Sequence, residues 1–348
     1  MNLSRRQLLS AALATAGTGL LAGCTGDASD SPGSEPGRKT AVSSFFVFGD
    51  ITAQVAGDAA EANLLVPVGQ HGHGWEPGPR VRADIHDADL LVHGMAGFQP
   101  WVDDIRGDLE ADGSNVTTVD VSRGLSLLEP GAAHEDHDHH AEDSHDEDHQ
   151  EEGAHDEVHQ EGTHDGEEHG RGMDPHFWLD PLRVKEAVGN VRAGLATVDS
   201  DNAETYARNA ETVRGRLDDL HETIESTVGA ASDRPLLVAG HDSFQYFGDR
   251  YGVEVEALTN VSPDDRPTTR DIEHAQEIIR AHDLQYICAD PLESQQAATQ
   301  LVAETDAEAV LPLTAMPGLT DEWADDDWGY VEVMENVNVP TLERALDD

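Results

Sequence analysis

Leu64-Leu65-Val66-Pro67-Val68-Gly69-Gln70-His71-Gly72-His73-Gly74-Trp75-Glu76-Pro77 is an apolar strand running into a glycine-rich turn that carries two imidazoles. Later in the chain Leu236-Leu237-Val238-Ala239-Gly240-His241 repeats the arrangement, with His241 at the strand end. Open α/β sheets bind ligands outside the carboxyl ends of their strands. One histidine at such a place is usually structural, but two at equivalent ends of two sheets point to one shared cleft. Around the first stretch, apolar β-rich runs at residues 41–48, 62–68, 88–92 and 115–121 alternate with helical patterns. The alternation resumes at 235–239, 253–258, 284–289 and 309–313. Strands separated by helices predict parallel sheets of βα units, here in two lobes.

Between the lobes, Tyr206, Ala210, Val213, Leu217, Leu220, Ile224 and Val228 recur every three or four residues. That apolar stripe predicts a helix over residues 201–228, about 40 Å long at 1.5 Å per residue. The expected fold is therefore α/β, with two βα lobes of parallel sheet joined by one long spine helix and a cleft between them. A coiled-coil partner for the stripe is the competing reading.

The chain has 348 residues, and its 21 Lys and Arg stand against 70 Asp and Glu, for a formal net charge of −49. A basic nucleic-acid-binding face is excluded. The 38% hydrophobic content is enough for two cored units, which excludes an entirely disordered chain. Lysine occurs only at Lys39 and Lys185. An acid-rich, lysine-poor surface suits molar salt, where the Debye length is about 3 Å, and implies a halophile.

Residues 1–23 have the layout of an export signal, with Arg5-Arg6 before a modestly apolar run. Ser4-Arg5-Arg6-Gln7-Leu8-Leu9 resembles a twin-arginine signal, and Leu21-Ala22-Gly23-Cys24 resembles a lipobox that would lipidate Cys24. A polar tether at 24–39 follows. The other cysteine, Cys288, lies in an apolar run and is expected to be a buried, inert thiol. The remaining domains are expected at 40–133 (N-terminal lobe), 134–170 (a His- and acid-rich loop), 171–200 (a ligand motif and helix), 201–230 (the spine) and 231–348 (C-terminal lobe).

Residues 134–169 carry ten histidines, His134, His137, His139, His140, His145, His149, His155, His159, His164 and His169, among sixteen acids with no Lys or Arg. Such a segment cannot bury enough surface to fold and is expected to be disordered, with imidazoles suited to capturing Zn²⁺ or Cu²⁺. Just beyond it, in Met173-Asp174-Pro175-His176-Phe177-Trp178-Leu179-Asp180-Pro181, Asp180 and Pro181 form a helix start that fixes His176 four residues upstream. His221, His274 and His282 fall on predicted helices as solvated side chains, whereas His86 and His93 flank a strand and are expected to be structural. Asp290 before Pro291 follows a strand end, as a turn residue or a carboxylate facing the cleft.

Residues 69–77, residues 174–181 and His241-Asp242-Ser243-Phe244-Gln245-Tyr246-Phe247, in this order, resemble the metal-binding lipoproteins that feed zinc and manganese ABC importers. The likeness covers nearly all of the chain after the signal. It implies one metal ion between the lobes, held by His73, His176 and His241, with His71, Glu76 and Asp290 as further candidates. His71 stands where that family commonly has an acid, and Leu311-Pro312-Leu313-Thr314 has no carboxylate where a fourth ligand is often found, so the fourth position stays open. Three imidazoles suit Zn²⁺, and Mn²⁺ fits less well because it favours oxygen donors. The resemblance implies a monomeric receptor, not an enzyme, exported and lipid-anchored on the outer face of the cytoplasmic membrane, with an ABC permease and its ATPase subunit as partners. Two other readings stay in view. Three histidines and a water also make a catalytic zinc site of a hydrolase or lyase, and the loop alone could act as a zinc buffer.

Overall fold

The computed structural model describes residues 37–131, 172–229, 234–262 and 265–347. Cys24, the signal and tether, and all ten histidines of the 134–169 segment lie outside the described residues. Two four-stranded sheets carry the fold. In the first, β1 (Lys39–Ser43), β2 (Ala60–Leu64), β3 (Leu90–His93) and β4 (Thr117–Asp120) lie in the order β2-β1-β3-β4. In the second, β5 (Leu236–His241), β6 (Val255–Thr259), β7 (Tyr286–Ala289) and β8 (Ala309–Pro312) repeat it as β6-β5-β7-β8. Every pairing is parallel, with Ala41 opposite Leu90 in the first sheet and Val238 opposite Cys288 in the second. In each sheet the strand order reverses beside the central strand, and that is where a parallel sheet opens a crevice at its carboxyl edge.

The first apolar run divides where a single strand was expected. β1 ends at Ser43, and Phe46–Ala56 forms helix α1. Phe46, Val47, Phe48, Ile51 and Val55 of α1 are all buried, because the helix packs on β1, β2, α4 (Pro181–Val198) and α5 (Ala203–Gly229). A helix covered on several sides has no polar face, so its sequence reads as a continuous apolar run and cannot be told from a strand by period.

The spine is α5, 27 residues long, with Tyr206, Ala210, Val213, Leu217, Leu220 and Ile224 buried. Its stripe is covered within the chain by α1, α4 and the C-terminal helix α11 (Val339–Leu346), which replaces the coiled-coil reading. The start of α4 is fixed by Asp180, whose Oδ1 accepts from the Leu182 amide at 2.9 Å while Pro181 takes the first helical position. Its fully buried Oδ2 accepts from Arg183 Nη1 at 2.6 Å and from Arg250 Nε and Nη2 at 2.9 and 2.6 Å. Arg250 lies on α6 (Gln245–Tyr251), so the N-terminus of α4 is clamped to the second lobe.

One apolar cluster runs from Ala41, Phe45 and Phe48 through Trp178, Val188 and Leu217 to Val238, Cys288 and Leu313. The lobes therefore share a core, while smaller clusters cover the outer face of each sheet. The C-terminal residues do not stay in the second lobe, since the Tyr330 amide donates to Asp50 Oδ2 on α1 at 2.9 Å. Cys288 is wholly buried, and burial pushes its thiol up to about 12, which makes it unreactive. Among the described residues no helix is long and apolar enough to cross a membrane.

Candidate metal centre

The loop after β2 is held by its glycines. A Cβ on Gly72 would lie 2.7 Å from both the Phe45 ring and the Pro317 carbonyl oxygen, so only glycine lets this backbone pass. The Gly72 amide donates to that Pro317 oxygen at 2.7 Å, and the Gly69 amide donates to Leu319 O at 2.7 Å. Gln99 Nε2 donates to Gly72 O at 3.2 Å and to Ser44 O at 3.0 Å. His73 is thus delivered to a wall of Phe98, Phe45 and Trp178, whose ring centroids lie 4.7, 6.0 and 6.5 Å from its own.

His176 comes from the segment ahead of α4. Asp174 Oδ1 accepts both the His176 amide (2.9 Å) and His176 Nδ1 (2.7 Å), and the Asp174 carbonyl accepts from Tyr246 on α6 at 2.7 Å. His241 is the last residue of the central strand β5, and its Nδ1 lies 3.0 Å from Glu293 Oε1. Glu293 stands in the turn after β7, where its amide donates to Asp290 O. The same Oε1 lies 3.4 Å from His71 Nε2.

The three imidazoles converge. Ring centroids are 5.2 Å apart for His73 and His176, 5.1 Å for His176 and His241, and 6.0 Å for His73 and His241. With the outer Nδ1–H groups of His176 and His241 donating to carboxylates, both Nε2 lone pairs face inward, 3.2 Å apart. Two facing lone pairs repel unless a proton or a cation lies between them. The separation is close to the edge, about 3.3 Å, of a tetrahedron with metal–nitrogen bonds of 2.0–2.1 Å. His73 Nε2 is buried with no hydrogen-bond partner, a costly state for a nitrogen acceptor. Among the described residues no group of three or more His, Cys, Asp or Glu side chains stands ready-made to hold an ion, so the clustered rings must turn to ligate one.

The electrostatics favour neutral rings and added positive charge. Burial, reinforced by the neighbouring imidazoles, holds His73 and His176 well below 6.5. Burial also pushes the Asp174 carboxyl up to about 7, so the Asp174–His176 pair resists charge on either side. Burial alone would raise Glu293, yet hydrogen bonds from His241 and His71 prevail and hold it down at about 2. His71 is raised, because its bond to Glu293 outweighs a desolvation that would lower it.

The other sequence candidates lie differently. Glu76 is exposed. Asp290 is buried and occupied, with Oδ1 accepting from the Leu292 amide at 2.8 Å and Oδ2 from Thr314 Oγ1 and the Ala315 amide at 2.7 and 2.9 Å. It organises the turn, and Thr314 serves as its partner. His93 is buried with Nδ1 on Gly94 O at 2.6 Å, whereas His86 is exposed at the end of α2 (Pro79–His86), which corrects its structural reading. His274 and His282 are exposed, and His221 meets Tyr251 OH at 3.0 Å. Sequence reasoning missed Glu293; its one signal was a place three residues past Asp290 in the same turn.

Residues 41–345 match the family model described as ZnuA, zinc-uptake complex component A, periplasmic. The chain belongs to this family. The high-affinity zinc uptake system protein ZnuA of Bacillus subtilis is 27% identical over 328 residues, 94% of each chain. The zinc-binding lipoprotein AdcA of Streptococcus pneumoniae is 29% identical over 313 residues, 89% of this chain but 56% of AdcA, so the chain spans about half of that relative. Among solved structures, the Zn(II)-bound ZnuA-like domain of S. pneumoniae AdcA is similar over 90% of this chain and 100% of its own, with TM-score 0.68 and 26% identity. The metal-dependent lipoprotein YcdH of B. subtilis is similar over 89% and 100%, with TM-score 0.67 and 25% identity.

Proposed function

We propose that His73, His176 and His241 bind one Zn²⁺ between the lobes as cargo. The protein is a zinc-binding receptor of an ABC zinc uptake system and not an enzyme. It works outside the cytoplasm and passes the ion to a permease powered by an ATPase subunit. The observation that carries the ligand set is the pair of inward Nε2 atoms at 3.2 Å beside the unpartnered, buried Nε2 of His73. Once the rings turn inward, a soft-to-borderline cation satisfies all three nitrogens at once, and nitrogen donors favour zinc over manganese. Asp174 and Glu293 hold the outer nitrogens, the usual support for metal-ligating imidazoles.

Around this centre we place a lipid on Cys24, a tether that anchors the monomer to the outer face of the cytoplasmic membrane, and a weak capture role for the histidines of residues 134–169. The acid-rich, lysine-poor composition fits work in molar salt. Among the described residues no free carboxylate stands beside the rings to act as a hydrolytic base, since Glu293 is held by two histidines and Glu76 is exposed. The test is calorimetry on protein lacking residues 134–169. One tight zinc equivalent that disappears in His176→Ala supports the reading, and loss of all tight binding with the segment alone overturns it in favour of a buffer.

A further inference from the structure

Among the described residues, Glu293 is the one carboxylate that meets histidines from both lobes. Its Oε1 lies 3.0 Å from His241 Nδ1, at the end of the central strand of the second sheet. It also lies 3.4 Å from His71 Nε2, on the first lobe's loop two residues before His73. The side chain is mostly sheltered, at 20% exposure, and so is His71 at 22%. A Cβ on Gly240 would come 3.0 Å from Glu293 Oε2, so the chain leaves room at Gly240 for this carboxylate to reach the ring. We propose that Glu293 is a positioning residue for zinc release. One oxygen fixes the outer nitrogen of His241, and through His71 it ties the loop that carries His73 to the lobe that carries His241.

The physical consequence is a coupling. A ligating imidazole whose outer N–H lacks an acceptor is free to rotate and is a weaker donor. If the same acceptor also holds the opposite loop, loosening either histidine loosens the other's restraint, and the ion escapes sooner. His71 thus acts on the ion through Glu293, without needing to ligate it. The inference rests on the three-histidine reading.

Protein lacking residues 134–169 separates the two. Affinity comes from competition with a chromophoric chelator, and the zinc dissociation rate from rapid mixing with excess chelator. Glu293→Ala should raise Kd about 10–100-fold, the range for losing an outer-shell partner. Glu293→Gln keeps the reach and one acceptor oxygen, so it should recover part of that loss. His71→Ala should speed dissociation several-fold in the parent yet add little in the Glu293→Ala background, the signature of two groups acting through one contact. Unchanged Kd and dissociation rate in Glu293→Ala, or fully additive effects of the two alanines, overturn the proposal. His176→Ala is the control: if it binds zinc as tightly as the parent, the ligand reading fails and takes this one with it. If it fails to bind while Glu293→Ala is normal, only this one falls.

Discussion

His176 Nε2 and His241 Nε2 face each other across 3.2 Å in the interior, each ring with its outer nitrogen on a carboxylate. One comes from the segment leading into α4 and the other from the end of β5, so neither neighbour in sequence explains the meeting. Two buried donors aimed at one point are worth having only if something positive is shared there. Replacing His73, His176 or His241 by Ala should therefore weaken zinc binding by more than the roughly 10–100-fold expected of an outer-shell change. Isothermal calorimetry on each variant measures this, and a residue whose loss leaves affinity untouched is no ligand.

Asp174 should matter nearly as much as a ligand without touching the ion. Asp174→Asn keeps the shape but offers His176 Nδ1 a weaker, neutral acceptor, so zinc affinity should fall about 10–100-fold. The cobalt-substituted protein should keep its visible spectrum, since the donor atoms are unchanged. A spectrum that changes with the substitution would mean that Asp174 itself ligates.

Protons should compete with zinc at lower pH than free imidazole suggests. Burial keeps His73 and His176 well below the reference 6.5, so both rings stay neutral and able to ligate past that pH. Zinc affinity should hold through 6.5 and fall only under it, as followed by chelator competition from pH 7.5 to 4.5. The same shift fixes these rings' share of the stability trend. Below 6.5 the unfolded chain takes up protons at these two histidines that the folded chain refuses, so their contribution to stability declines as pH falls from 6.5, while Asp174, pushed up to about 7, contributes in the opposite sense. Saturating zinc should raise the thermal midpoint most where affinity is intact; a zinc-induced rise that grows on acidification through this window would contradict the assignment.

Gly72→Ala should damage the site through its frame. The new methyl meets the Phe45 ring and the Pro317 carbonyl at 2.7 Å, and overpacking of this kind costs about 1–3 kcal/mol. The thermal midpoint of metal-free protein should drop, and zinc affinity with it, because His73 is the next residue. Gly78→Ala is the matched control, since nothing lies within 4 Å of its added carbon.

Deleting residues 134–169 should leave the tight site nearly intact while removing several weak zinc equivalents. Tethered imidazoles raise the local ligand concentration to roughly the millimolar range, so uptake at scarce zinc should slow. Unchanged weak-site count and uptake would leave the segment as solvating acidic surface.

The eight strands were legible in the sequence to within a few residues, because buried parallel strands are short apolar runs bounded by turns. The spine was legible residue by residue, since its solvated face gives the stripe a clean period. The helical start at Phe46 was not, because a helix buried on several sides loses that period. At the site, the glycines and prolines beside His73 and His176 marked them out as chain punctuation. Glu293 carries no such mark. Its meaning lies in reaching His241, 52 positions earlier, and His71, 222 positions earlier, and no local pattern encodes that approach.

The main-chain bonds from Gly69 to Leu319 and from Gly72 to Pro317 give the first lobe's loop a mechanical allegiance to the second. A wide swing of the lobes would break both bonds, at about 1 kcal/mol each, and would also part a core that runs unbroken between the sheets. Hinge closure of the kind that wraps two free domains round a ligand is therefore a poor description of how this chassis handles its cargo. Traffic is set instead by imidazoles turning on a fixed frame and by local loosening of the loop. Hydrogen exchange should find the Gly69 and Gly72 amides protected with or without zinc, yet exchanging by local opening faster than those of the central strands.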